Sequence, residues 1–129
     1  MTDVPDEVEQ LLTSEPLVAT LGTCCDGRPH VAPLWYRYEG GVIEIVTAGR
    51  KLANIRENPR VALSVERSTN GRPEWTVSVR GTATVIEDEG AFRTANRRIN
   101  RKYGADEDAW ADNTLVRIDV GSASYHTYD

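Results

Sequence analysis

Apolar positions along the chain recur at two periods, and each predicts a different element. Residues 5–14 (PDEVEQLLTS) place Val8, Leu11 and Leu12 on one helical stripe behind Pro5 and an acidic first turn, so they read as a short amphipathic helix. From residue 17 the grammar becomes that of strands. Residues 17–24 end at Asp26-Gly27, a strong hairpin signal, and residues 28–38 (RPHVAPLWYRY) resume as a second strand. Pro29 and Pro33 offer no N–H, so that strand needs an edge or an irregularity. Gly40-Gly41 turns the chain into a third strand, 42–47 (VIEIVT), which makes 17–47 a three-strand meander. Residues 50–58 predict a helix with Leu52 and Ile55 facing inward, stopped at Asn58-Pro59 because the residue before proline resists the α region.

Residues 60–66 predict a fourth strand, followed by a polar loop, 68–73, with Asn70-Gly71 at its tip. Residues 75–87 alternate most cleanly. Val77, Val79, Gly81, Ala83 and Val85 face one side and Thr76, Ser78, Arg80, Thr82 and Thr84 the other, with a bend expected at Gly81. Residues 89–103 form a helix with Phe92, Ala95, Ile99 and Tyr103 on its apolar stripe. An acidic loop or helical turn (104–113) with Trp110, a last strand (115–120) and a short aromatic tail (121–129) complete the chain. About six antiparallel strands and a few short helices predict a mainly β fold, a small closed barrel, as a single domain over 1–129.

Composition narrows the function classes. Net charge is −5, whereas a nucleic-acid binder carries a basic footprint. The helix 89–103 does carry Arg93, Arg97, Arg98, Arg101 and Lys102, but the acidic run at 106–112 is placed to pair with them. No apolar run approaches the ~20 residues a membrane helix needs. The start, MTDVPDEVEQ, lacks the basic and apolar features of a signal peptide, which leads us to expect a cytoplasmic protein. Cys24 and Cys25 are adjacent, where a bridge is strained, and no CxxC exists; two reduced thiols and no metal site are expected.

The segment 42–61 (VIEIVTAGRKLANIRENPRV) carries the chemistry. A strand ends at Thr47, Ala48-Gly49 turns the chain, and a helix opens with Arg50 and Lys51. Cations in a first helical turn oppose the macrodipole, and a bound phosphate would explain them. Arginine supplies a fork to phosphate oxygens and lysine a point charge. Gly49 permits close backbone approach.

Taken in order, Arg28, Gly40-Gly41, Thr47, Arg50-Lys51 and Asn58-Pro59-Arg60-Val61, followed by VSVRGTATVIED at 77–88, resemble the pyridoxamine 5′-phosphate oxidase-like family of split-barrel flavoproteins. The resemblance implies a Greek-key split barrel, a homodimer with two cofactor sites at the subunit interface, and FMN as the usual cofactor. It implies that Arg50 and Lys51 hold the cofactor phosphate with Thr47 and Gly49 beside them, and that Arg28 adds a second cation. The backbone of Pro33, Leu34 and Trp35 would line the isoalloxazine ring. Thr76 stands where oxidase relatives carry a glutamine that contacts FMN. No arginine occupies the tail GSASYHTYD, so manufacture of pyridoxal phosphate is not expected.

The expected activity is a flavin-dependent oxidoreductase acting on a small-molecule substrate or a reduced nicotinamide. The flavin ring itself would take the electrons, so no acid–base dyad is required. One alternative is coenzyme F-420 (a deazaflavin), with Arg37 and Arg56 as candidates for its longer acidic tail. A second is a non-catalytic flavin- or haem-binding or stress protein, with His30 or His126 as the available imidazoles. Trp35, Trp75 and Trp110 could wall a flat pocket or simply pack.

Overall fold

The structure is a computed structural model and describes residues 4–128, so the first three residues of the acidic start and the last residue of the tail lie outside it. Its elements run α1 (Asp6–Thr13), β1 (Ala19–Cys25), β2 (Arg28–Leu34), β3 (Arg37–Glu39), β4 (Val42–Thr47), α2 (Gly49–Glu57), β5 (Arg60–Thr69), β6 (Arg72–Ile86), α3 (Glu89–Lys102) and β7 (Thr114–Thr127). The described residues form one seven-stranded antiparallel sheet in the order β2-β1-β5-β6-β7-β4-β3.

Three expectations need correction. The run 17–47 is not a three-strand meander. It forms two hairpins at opposite edges of the sheet, β1-β2 and β3-β4. The break falls at Trp35-Tyr36, just after Pro33, and Pro29 and Pro33 sit on an edge strand where a missing donor costs nothing. Because only two residues join the outermost strands, the two edges come within roughly 10 Å of each other at that corner. The sheet therefore curls into a barrel without a ladder between β2 and β3. The loop 68–73 is instead a tight hairpin, with Asn70 and Gly71 both at positive φ and β5 and β6 running up to them. The aromatic tail is the second half of β7, paired with β6 from Ser122 to Thr127. Strand β7 lies between β6 and β4, and the split of 28–38 into β2 and β3 brings the strands of the described residues to seven.

Gly81 is where β6 bends. The β6-β7 register shifts between Arg80 and Gly81, and a Cβ there would lie 2.4 Å from the Asp119 carbonyl oxygen. The barrel interior is filled by Leu21, Ile43, Ile45, Val65, Val77, Val79, Val116 and Ile118. Helix α1 plugs one end, burying Val8 and Leu12. Tyr36 is fully buried, and its hydroxyl donates to Leu12 O at 2.6 Å; the Tyr38 hydroxyl donates to Glu9 at 2.6 Å. Lys102 crosses this corner, donating to Tyr36 O at 2.8 Å with its ammonium 3.7 Å from the Tyr36 ring centroid. Among the described residues no helix is long and apolar enough to cross a membrane.

Candidate functional site

A cleft of about 470 Å³ opens between the end of β2, the end of β4, the start of α2 and the loop after α3. Its size suits a small organic ligand. Pro33, Leu34 and Trp35 form one wall, Val46, Thr47, Ala48 and Lys51 another, and Ile99, Trp110 and Asn113 the remainder. The sequence places these residues together for plain reasons. The barrel corner at Trp35-Tyr36 ends β2, and Thr47 is the last residue of β4, facing Thr114 of β7. Gly49, at φ +67°, then reverses the chain into α2.

One polar group at the cleft is unsatisfied. Thr47 is only 2% exposed, and its Oγ1 is buried with no hydrogen-bond partner. Such a group costs free energy unless something pairs with it. Helix α2 begins behind Ala48, which has no side chain to cap it, and its first turn contains no acid. The positive dipole end of the helix and its leading amides fall in the segment between Thr47 and Lys51, two residues that line the same cleft. Together these groups can bind an anion. Strand β2, which supplies Pro33 and Leu34 to the cleft, is an edge strand paired on one side only, by β1.

The nine residues singled out in the sequence do not all meet. Pro33, Leu34, Trp35, Thr47 and Lys51 line the cleft, and Gly49 supplies the turn between Thr47 and Lys51. Arg50 turns the other way. With Arg28 it lines a separate recess of about 240 Å³ that also holds Cys25, Asp26, Pro29, His30 and Asn54. The consecutive cations Arg50 and Lys51 thus serve two different hollows on either side of the first turn of α2. In that second recess His30 Nδ1 is buried without a partner, and the Asn54 amide donates to the Thr23 hydroxyl at 3.0 Å. The Cys25 thiol is pushed up from its ordinary value by burial and by Asp26, so it is not an activated thiolate. Thr76 lies on β6 opposite Glu66 and His126 and lines neither hollow.

Other candidates are accounted for by pairing. Arg37 is bound to Glu39 and to Glu44, and Arg56 pairs with Glu87 at 3.2 Å. Arg97 of α3 reaches Asp108 at 3.2 Å, as the acidic run predicted. Trp75 is buried away from the cleft, and His126 packs edge-on against Tyr128 on the exposed half of β7. Sequence reasoning missed Asn96 and Asn100, which are buried and both donate to Ala109 O, at 2.8 and 2.9 Å. Their signal was available: they lie one position beyond Ala95 and Ile99, on the same buried stripe. They hold the loop that carries Trp110 to the cleft.

The family model described as pyridoxamine 5′-phosphate oxidase matches residues 4–127. The chain belongs to the pyridoxamine 5′-phosphate oxidase family. Among solved structures, a FAD-binding protein from Mesorhizobium loti is 25% identical at TM-score 0.80, covering 100% of this chain and 98% of its own. An F-420 reductase is 28% identical at TM-score 0.74, covering 94% of this chain and 98% of its own. The haem storage protein HutZ from Vibrio cholerae, 14% identical at TM-score 0.77 with 95% and 93% covered, shares the fold alone. No match is found among curated proteins. The fold is the split barrel of this flavin-binding family, and of the residues that marked the resemblance Thr47 and Lys51 line the cleft while Arg28 and Arg50 line the neighbouring recess.

Proposed function

We propose that the chain is a flavin-dependent oxidoreductase that binds FMN in the cleft between Trp35 and Lys51, as a homodimer, and acts on a small molecule or a reduced nicotinamide. The observation that carries this reading is the buried, unpartnered Thr47 hydroxyl, set beside Lys51 and the uncapped start of α2. A phosphate monoester matches that donor set in charge and in acceptor count. Among the described residues Lys51 is the one cation that lines the cleft, which suits the single phosphate of FMN. The ring would lie along Pro33, Leu34 and Trp35, whose backbone groups fix its hydrogen-bonding edge. The bound flavin supplies the capacity to accept and release electrons. The chain's own residues hold its phosphate, orient its ring and keep water from one side. Val18 and Val31, 52% and 69% exposed on and beside the edge hairpin, give a second copy an apolar surface to cover.

A second reading, coenzyme F-420, is favoured by two observations. A 28% identical neighbour is an F-420 reductase. The recess holding Arg28, Arg50 and His30 adjoins the phosphate end of the cleft across one helical turn, and could receive a further anionic group. Arg37 and Arg56, already paired with acids, are poorer candidates for that task.

The test is a parallel fluorescence titration of the purified protein with FMN and with coenzyme F-420, repeated on Lys51→Ala and Arg50→Ala. FMN binding that falls at least tenfold in K51A and little in R50A supports the first reading. Preference for F-420 with a loss in both variants supports the second. Failure of both ligands to bind refutes a cofactor role for the cleft.

A further inference from the structure

Trp110 occupies a backbone position that a tryptophan adopts only at a steric cost. Its φ is +63°, in the left-handed region that glycine or asparagine enters with little penalty and bulky L residues rarely enter at all. The residue is 57% exposed. Neither the turn nor a buried core requires an indole here, yet the indole is held in place. It meets Trp35 edge-on, with ring centroids 6.2 Å apart at 88°, while Trp35 lies flat on Tyr103 at 4.6 Å and 4°. The backbone on either side is pinned as well. Ala109 O accepts from both Asn96 and Asn100, and Asn113 N donates to Trp110 O at 3.0 Å. Strained residues fixed by their surroundings cluster at ligand clamps, and this one lines the cleft that holds the unpartnered Thr47 hydroxyl and Lys51.

We propose that Trp110 is a ring-stacking wall of the cleft, and that the ligand it covers is a planar, electron-poor aromatic ring carrying an anionic group that reaches Lys51. This rests on the reading of the cleft as a ring-cofactor site. Tyr103 already covers one face of Trp35, so Trp110 supplies the aromatic surface at the exposed rim. The bonds of Asn96 and Asn100 to Ala109 O, the Asn113 N–H on Trp110 O and the edge contact with Trp35 hold the indole at that rim against the strain.

The test uses FMN and coenzyme F-420 as probes on wild type, Trp110→Gly and Trp110→Phe. Glycine is at ease at this φ, so W110G keeps the turn. W110G is expected to lose at least tenfold in affinity for whichever probe the wild type binds. W110F is expected to stay within about threefold, with part of the bound ring's fluorescence restored, because a stacked indole quenches such rings far more than a phenyl does. W110G binding within threefold of wild type overturns the proposal. So does a W110G that binds normally but sediments as a smaller assembly, which would assign the indole to a subunit contact. If wild type binds neither probe, the cofactor reading falls and takes this inference with it. If wild type binds and W110G binds equally well, only the inference falls.

Discussion

Thr47→Val is a sharp test of the site because it moves two observables in opposite directions. The substitution replaces a hydroxyl by a methyl on a side chain that stays β-branched, so β4 keeps its backbone preference and its pairing with Thr114. Thr47 is 2% exposed and its Oγ1 has no partner. Leaving a buried polar group unpaired costs about 1–3 kcal/mol, so its removal should stabilise the ligand-free protein by about 1–2 kcal/mol. For a domain of this size that raises the melting temperature by about 4–8 °C. In the complex the same hydroxyl would donate to a phosphate oxygen. A charge-assisted bond of that kind contributes about 1.5–3 kcal/mol, so affinity should fall by about ten- to a hundredfold. Thermal melts of ligand-free wild type and T47V, with FMN and F-420 titrations alongside, read both quantities. If ligand-free T47V melts below wild type, the hydroxyl is satisfied in the folded chain and the argument from its isolation fails. If cofactor affinity is unchanged, Thr47 is not part of the site.

Further expectations concern the scaffold. Gly81→Ala would set its Cβ 2.4 Å from a backbone carbonyl oxygen and 2.9 Å from the Ile118 side chain, neither of which can yield cheaply. A loss of about 3 kcal/mol or failure to fold is expected from urea unfolding; a loss under 0.5 kcal/mol would refute the bulge geometry. Tyr36→Phe removes the 2.6 Å bond to Leu12 O and leaves that carbonyl without it. It should cost about 1–3 kcal/mol and speed amide exchange across residues 6–13, whereas unchanged exchange there would show that α1 is held by its apolar face alone. Lys102 is drawn down from 10.5 to about 8 by burial and by Arg37. Between about pH 8 and 10.5 the unfolded chain then binds more protons than the folded one, so this group makes stability rise with pH across that window. The stability difference between wild type and Lys102→Met should climb over that range, and a flat difference would contradict the shift.

The strands were legible where alternation ran alongside turn chemistry. Asp26-Gly27 and Gly40-Gly41 each mark a real hairpin and Asn58-Pro59 ends α2 where expected, while Asn70-Gly71, read as the tip of a polar loop, closes a hairpin as well. Pairing across the sheet was not legible. Nothing local in 28–47 says that the residues after Trp35 join the opposite edge, because strand order is set by long-range packing rather than by periodicity. The tail misled for a related reason. Its exposed residues lack the apolar alternation that marks a strand, and they are held instead by the ladder to β6. At the site, chemistry singled out Arg50 and Lys51 together and the family resemblance added Thr47; Thr47 and Lys51 line one cleft, while the rotation of about 100° between adjacent helical residues places Arg50 in another hollow. The strain at Trp110 could not be read at all, since φ is a property of the folded backbone.

The central position of β7 bears on how the chain is made. Of the seven strands it emerges last from the ribosome, yet it is flanked by β6 on one side and β4 on the other. Until it arrives, the β3-β4 hairpin has no ladder to the rest of the sheet, and both β4 and β6 present open edges. Synthesis therefore passes through a stage with two unjoined pieces whose apolar faces and strand edges are exposed to other nascent chains. A ribosome paused before residue 114 would hold the polypeptide in that state. Quality control in the cell should meet this protein most often as a chain one strand short.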